Sequence, residues 1–124
     1  MIDHVSIGVR DLARSKGFYD AVLKPLGYKR LSEDASSLGY GADGICWWIG
    51  ITDRPVAPDP KSNLHFCFVA PTRQGVDQFH QAALRHGGRD NGPPGLRADF
   101  GPGYYAAFVV DPDGYRLEAY SRQP

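Results

Sequence analysis

The strongest constraint on this chain is that its two halves repeat each other. Residues 4–27, which begin HVSIGVRDL, match residues 65–88, which begin HFCFVAPTR, without a gap. His4 therefore falls on His65, an offset of 61 positions (65 − 4). A repeat of this length indicates two copies of one supersecondary unit that pack together.

Each copy begins as a strand followed by a helix. Asp11 and its counterpart Thr72 precede amphipathic runs, and both residue types are favoured as helix N-caps. Gly27 and Gly88 follow the same runs, where glycine commonly ends a helix. The pattern predicts one helix per copy.

The remainder of each copy also matches, at a larger offset. Residues 41–50 resemble residues 111–120, which are 70 positions later (111 − 41). Each segment contains an Asp-Gly pair, at 43–44 and 113–114, which is typical of a hairpin turn between two strands. The larger offset implies extra residues in the second copy, and the Gly/Pro-rich segment 91–103 is the candidate insertion.

These patterns predict an α+β fold built from two tandem βαβββ modules. We expect a single domain over residues 1–124, with module one at about 1–54, a polar linker at about 55–62 and module two at about 63–124. The predicted strands lie near 2–9, 27–32, 36–41, 45–51, 63–70, 88–91, 104–110 and 115–121.

Composition excludes several classes of function. The 14 Lys and Arg residues balance 14 Asp and Glu residues, which argues against nucleic acid or an anionic membrane as the main partner. No apolar run is long enough to span a bilayer, and the amino end does not resemble a signal peptide. Two cysteines are too few for a disulfide scaffold, so we expect a reduced, cytoplasmic protein.

Alternation along the strands places three potential metal ligands on one kind of face. His4, His65 and Glu118 each lie opposite the apolar residues of their own strand. Imidazole and carboxylate suit Zn²⁺, Mn²⁺, Fe²⁺ or Ni²⁺, and three such ligands leave coordination positions for water or substrate. The residues alone leave open whether these histidines are ligands or ordinary strand and rim residues.

The chain resembles the vicinal oxygen chelate superfamily, which contains glyoxalase I, extradiol dioxygenases, fosfomycin-resistance proteins and bleomycin-resistance proteins. The resemblance is carried by the paired βαβββ modules, by the opening segment IDHVSIGVRDLARSKGFYDAVLKPLGY and by the closing segment DPDGYRLEAY. It implies that His4, His65 and Glu118 bind a divalent ion, which holds a small substrate through two adjacent oxygens. It also implies that the two modules form a curved mixed sheet that encloses a metal and substrate cavity, and that the protein is a homodimer.

Departures from the family pattern reduce the number of family activities that the chain is expected to have. Glyoxalase I normally supplies a fourth ligand, a glutamate, at the position that is Trp48 here (118 − 70). An indole cannot ligate a divalent ion, so the usual four-ligand chemistry is disfavoured. Extradiol enzymes are usually built from four modules, and the lysine- and serine-bearing loop of fosfomycin-modifying members is not reproduced. The alternative is a metal-free protein that sequesters a small molecule, as bleomycin-resistance proteins do.

Further residues are candidates for contact with the substrate or for proton transfer. Glu118 and Tyr105 are the predicted catalytic residues, and Asp99 and Tyr120 are further candidates for a general base. Residues predicted to line the substrate pocket are Ser6, Trp48, Cys67, Arg97 and Tyr120.

Overall fold

Two four-stranded sheets, one from each half of the chain, form the structure. The computed structural model describes all residues, Met1–Pro124. The first sheet contains β1 (Val5–Val9), β2 (Lys29–Glu33), β3 (Ser37–Gly41) and β4 (Ile45–Ile51). The second contains β5 (Phe66–Val69), β6 (Arg89–Leu96), β7 (Tyr105–Val110) and β8 (Arg116–Ser121).

Both sheets have the same topology. The strand orders are β1-β4-β3-β2 and β5-β8-β7-β6, and in each sheet the first and last strands of the module pair in parallel while the others are antiparallel. The predicted α+β fold with tandem βαβββ modules is confirmed. The structure differs in one respect: within one chain the modules keep separate sheets and do not join into one curved sheet.

One helix follows the first strand of each module. They are α1 (Leu12–Leu23), extended by a short 3-10 helix over Lys24–Leu26, and α2 (Arg73–Arg85). Asp11 accepts a hydrogen bond from the Arg14 amide and Thr72 accepts one from the Gly75 amide, as predicted for N-caps. Neither helix is long and apolar enough to cross a membrane.

The helices cover one face of each sheet and leave the other face uncovered. α1 packs against α2, and a single hydrophobic core takes residues from both modules, including Tyr19, Trp47, Phe79 and Leu117. We call the sheet surface that faces this core the helix-covered face, and the opposite surface the open face. Glu118 lies on the open face of module two, and Ser6 and Trp48 lie on the open face of module one.

A buried carboxylate links the two modules. Asp111 is 2% exposed and accepts a hydrogen bond from the Tyr19 hydroxyl on α1. Its other oxygen accepts from the backbone amides of Asp113 and Tyr115, which fixes the turn that leads into β8. Desolvation raises the pKa of Asp111 to about 6. The turn is therefore held by a residue of the other module as well as by its own backbone.

Strand β6 is longer than predicted. The sequence predicts a strand only at 88–91 and a loop over 91–103, because proline cannot donate to a ladder and glycine weakens strands. In the structure β6 continues to Leu96 and pairs with β7, with register shifts between Asp90 and Gly92 and between Gly92 and Gly95. Bulges allow a strand to contain residues that cannot pair. The insertion therefore lengthens a hairpin and leaves a loop only after Leu96.

Candidate functional site

Glu118 lies at the centre of the open face of module two. It is on β8, between Cys67 of β5 and Phe108 of β7, which are its neighbours across the sheet. Leu117 and Ala119 point into the core, so alternation directs Glu118 to the open face. Other side chains nevertheless cover it, since the residue is only 3% exposed.

His65 is in direct contact with this carboxylate. Its Nε2 atom lies 2.8 Å from Oε1 of Glu118. His65 is just before the first residue of β5, and its side chain is 45% exposed, whereas that of Glu118 is 4% exposed. The structure thus brings together two of the three predicted ligands, one buried and one open to solvent.

The third predicted ligand does not join them within one chain. His4 lies just before β1 in module one and contacts Asp3, with 2.7 Å between Nδ1 and the carboxylate oxygen. A single chain contains no group of three His, Cys, Asp or Glu side chains that could hold a metal ion. Since the two open faces belong to separate sheets, His4 and Glu118 lie on different surfaces.

Tyr104 is a site residue that the sequence did not identify. Its hydroxyl donates a hydrogen bond of 2.6 Å to Oε2 of Glu118. Partial burial, followed by this hydrogen bond, raises the pKa of Tyr104 above its ordinary value. The phenol therefore stays protonated and acts as a donor to the carboxylate.

Tyr105, the predicted catalytic residue, lies on the opposite side of the sheet. Its hydroxyl donates to Asp77 of α2 at 2.6 Å, and the Arg73 guanidinium lies 5.2 Å from its ring centre. β7 pairs with β8 so that Tyr105 is opposite Ser121 and shares its face, which is the helix-covered one. Given the register of β7 on β8, alternation along the chain assigns Tyr104, one residue earlier, to the open face.

An aromatic stack adjoins the carboxylate. The rings of Tyr104 and Tyr120 are stacked at 4.7 Å with an interplanar angle of 15°, and Phe100 meets Tyr104 edge-on at 5.4 Å. The Arg122 guanidinium lies about 6 Å from the Tyr104 and Tyr120 rings. Tyr120 is thus on the open face near Glu118, as predicted, and its ring stacks on that of Tyr104.

Arg97 packs against Phe108, the neighbour of Glu118 on β7. Its guanidinium is 5.5 Å from the centre of the Phe108 ring, and it donates a hydrogen bond to the Pro93 carbonyl. The Phe108 ring is in turn 6.2 Å from that of His65. Asp99, the other candidate from this region, lies on an exposed 3-10 turn, Ala98–Phe100.

Cys67 is close to the site but is not activated. Although the residue is exposed, its sulfur is shielded near Glu118 and Tyr104. Desolvation, followed by the charge of Glu118, raises the pKa of the Cys67 thiol to about 12. The thiol is therefore protonated at neutral pH and is a poor nucleophile.

The open face of module one carries the other predicted pocket residues. Ser6 lies beside Trp48, its neighbour across the sheet, and both line a shallow depression together with His4. Gly39 faces Trp48 from β3, and a Cβ atom there would lie 2.8 Å from the indole ring. The indole therefore occupies space that any larger residue at Gly39 would take.

The fold is shared with a known family. The family model of the Glyoxalase/Bleomycin resistance protein/Dioxygenase superfamily matches residues 1–119. The chain therefore belongs to this superfamily.

Individual proteins resemble this chain in sequence or in fold. A crystal structure of a glyoxalase/bleomycin resistance protein from Albidiferax ferrireducens T118 is 33% identical, covers 96% of this chain and 97% of its own, and has a TM-score of 0.81. The uncharacterized protein YqjT of Bacillus subtilis strain 168 is 29% identical over 93% of this chain and 94% of its own. The fosfomycin resistance protein FosX from Listeria monocytogenes shares the fold, with a TM-score of 0.70, 15% identity and coverage of 98% and 92%.

Proposed function

We propose that the protein is a metal-dependent enzyme of the vicinal oxygen chelate type, which acts on a small substrate bound through two adjacent oxygens. The observation that carries this proposal is the contact between His65 and Glu118, at 2.8 Å on the open face of module two. A buried carboxylate and a solvent-exposed imidazole thus provide two potential ligand atoms that lie next to each other.

The donor chemistry fits a divalent ion. An imidazole nitrogen and a carboxylate oxygen are ligands for Zn²⁺, Mn²⁺, Fe²⁺ and Ni²⁺, with bonds of about 2.0–2.2 Å in zinc sites. The two donor atoms, 2.8 Å apart, are close enough to bind the same ion. His65 and Glu118 would hold the ion, which would act as a Lewis acid toward the substrate oxygens.

We propose that the third ligand is His4 of a second copy in a homodimer. His4 is on the open face of module one, where its side chain is 48% exposed. Apolar residues are exposed on or beside the open faces, among them Val69 at 57% and Phe100 at 56%. If module one of one copy covers module two of the other, these residues become buried, and two equivalent sites result from the two-fold symmetry.

The surrounding side chains favour a flat substrate that carries negative charge. In the proposed homodimer, Tyr120 in module two of one copy and Trp48 in module one of the other would offer aromatic surfaces to either side of a bound ring. Arg97, held over Phe108, is placed to attract an anionic group toward the carboxylate. Glu118 keeps its orientation through His65 and Tyr104.

We expect protein purified without chelator to contain Zn, Mn, Fe or Ni, and His65→Ala to lose most of it. The reason is that alanine removes one of the two donors that meet in each chain. Elemental analysis and isothermal titration with Zn²⁺ measure this loss. His86→Ala is the matched control, because His86 is exposed at the end of α2 and is not near Glu118. Retention of metal by His65→Ala would refute the ligand assignment, and absence of binding by the parent would refute the enzyme proposal.

Mixing two defective chains is expected to restore binding if His4 acts across the dimer. In a His4→Ala homodimer each site lacks the ligand from position 4. In a Glu118→Ala homodimer each site lacks the carboxylate ligand. A heterodimer of the two has one intact site, so it should bind about half the metal of the parent dimer. Zinc titration of heterodimers isolated with two affinity tags measures this. Failure to recover any binding would show that the ligands do not meet across two copies.

A metal-free binding protein is the second candidate. The observation in its favour is that both oxygens of Glu118 have protein partners, His65 and Tyr104. The neighbouring aromatic rings also suit sequestration of a flat molecule. Metal analysis separates the candidates, because this function requires no ion.

A further inference from the structure

The two oxygens of Glu118 have different partners. Oε1 faces Nε2 of His65 at 2.8 Å, while Oε2 accepts a hydrogen bond of 2.6 Å from the Tyr104 hydroxyl. A carboxylate free to rotate could present either oxygen, or both, to an ion. Here the hydroxyl holds one oxygen, so the other points toward the imidazole.

The Tyr104 ring is held independently of this hydrogen bond. It stacks on Tyr120 at 4.7 Å and meets Phe100 edge-on at 5.4 Å. Arg122 adds a cation–π contact with the same ring, 6.0 Å from its centre. Packing of the ring therefore positions the hydroxyl even without its hydrogen bond to the carboxylate.

We propose that Tyr104 is a positioning residue that holds Glu118 as a one-oxygen metal ligand. This rests on the proposed function, since it concerns how the same site binds its ion. Residues that hydrogen-bond a metal-ligating side chain orient it, and their loss typically weakens metal binding by about 10–100-fold. Tyr104 donates its only hydroxyl hydrogen to Glu118 and so acts through that carboxylate.

Tyr104→Phe tests the role of the hydroxyl, because it keeps the ring and its stacking. We expect the affinity for Zn²⁺, measured by competition with a chromogenic chelator, to fall by about 10–100-fold. The absorption spectrum of the Co²⁺-loaded variant should also differ from that of the parent, because the freed carboxylate can bind through both oxygens. The melting temperature of the metal-free protein should change by only a few degrees.

Tyr120→Phe is the matched control. It removes a hydroxyl from the other ring of the same stack and leaves the contact with Glu118 intact. We expect its Zn²⁺ affinity and Co²⁺ spectrum to match those of the parent.

The possible results distinguish this inference from the proposed function. If the parent binds Zn²⁺ and Tyr104→Phe binds it equally well with the same Co²⁺ spectrum, the inference is wrong and the proposed function stands. An equal loss in Tyr120→Phe would also overturn it, because the packing of the stack would then control affinity. If the parent binds no metal, the proposed function fails and the inference fails with it.

Discussion

Glu118→Gln is expected to weaken metal binding by at least about 100-fold, more than the loss of a residue that only orients a ligand. Glutamine has nearly the same shape but lacks the negative charge, and its amide nitrogen cannot coordinate a metal as a carboxylate oxygen does. The structure places this side chain between His65 and Tyr104, so its replacement changes charge with little change in packing. Zinc titration measures the effect.

The same variant should keep the fold. A buried carboxylate is costly to desolvate, so we expect the metal-free variant to unfold at a denaturant concentration equal to or above that of the parent. Glu33→Gln is the control for charge, because Glu33 lies on β2 and pairs with Lys16 far from the site. Parent-like zinc affinity in Glu118→Gln would exclude Glu118 as a ligand.

Asp111→Ala is expected to lower the free energy of unfolding by about 3 kcal/mol or more, because buried polar groups left unpaired cost about 1–3 kcal/mol each. Alanine would remove the acceptor of the Tyr19 hydroxyl and of the Asp113 and Tyr115 amides together. Tyr19 is fully buried, so water cannot easily replace the lost partner. Chemical denaturation followed by circular dichroism measures the loss.

Asp111→Asn separates the hydrogen bonds from the charge. The amide oxygen can still accept from the two backbone amides, and the amide nitrogen can donate to the Tyr19 oxygen. We expect a loss of at most about 1 kcal/mol, since the pairing is preserved in altered form. Equal stability of the alanine and asparagine variants would show that these hydrogen bonds contribute little.

The internal repeat and strand alternation predicted much of this architecture. They placed Glu118 on the face opposite Leu117 and Ala119, since strand side chains alternate with a period of two. They also paired His4 with His65 as equivalent positions of two modules, and the identical strand orders of the two sheets agree with this. These features depend on local pattern, which a single sequence contains.

Features that depend on distant pairing were not predicted. The choice between Tyr104 and Tyr105 requires the register of β7 on β8, because one residue reverses the face. The sequence DPDG indicates a turn, but the burial of Asp111 depends on Tyr19, 92 residues away. Whether the two modules share a sheet is likewise a matter of packing between surfaces, which neither repeat specifies.

The two open faces differ at one equivalent pair of neighbouring residues in their sheets. In module two the bulky Phe108 of β7 lies opposite Glu118, whereas in module one Gly39 of β3 lies opposite the bulky Trp48. Each sheet thus pairs one large residue with one smaller residue at this position. The large residue is on β7 in module two and on β4 in module one. The same strand order therefore accommodates a carboxylate at this crossing in module two and an indole in module one.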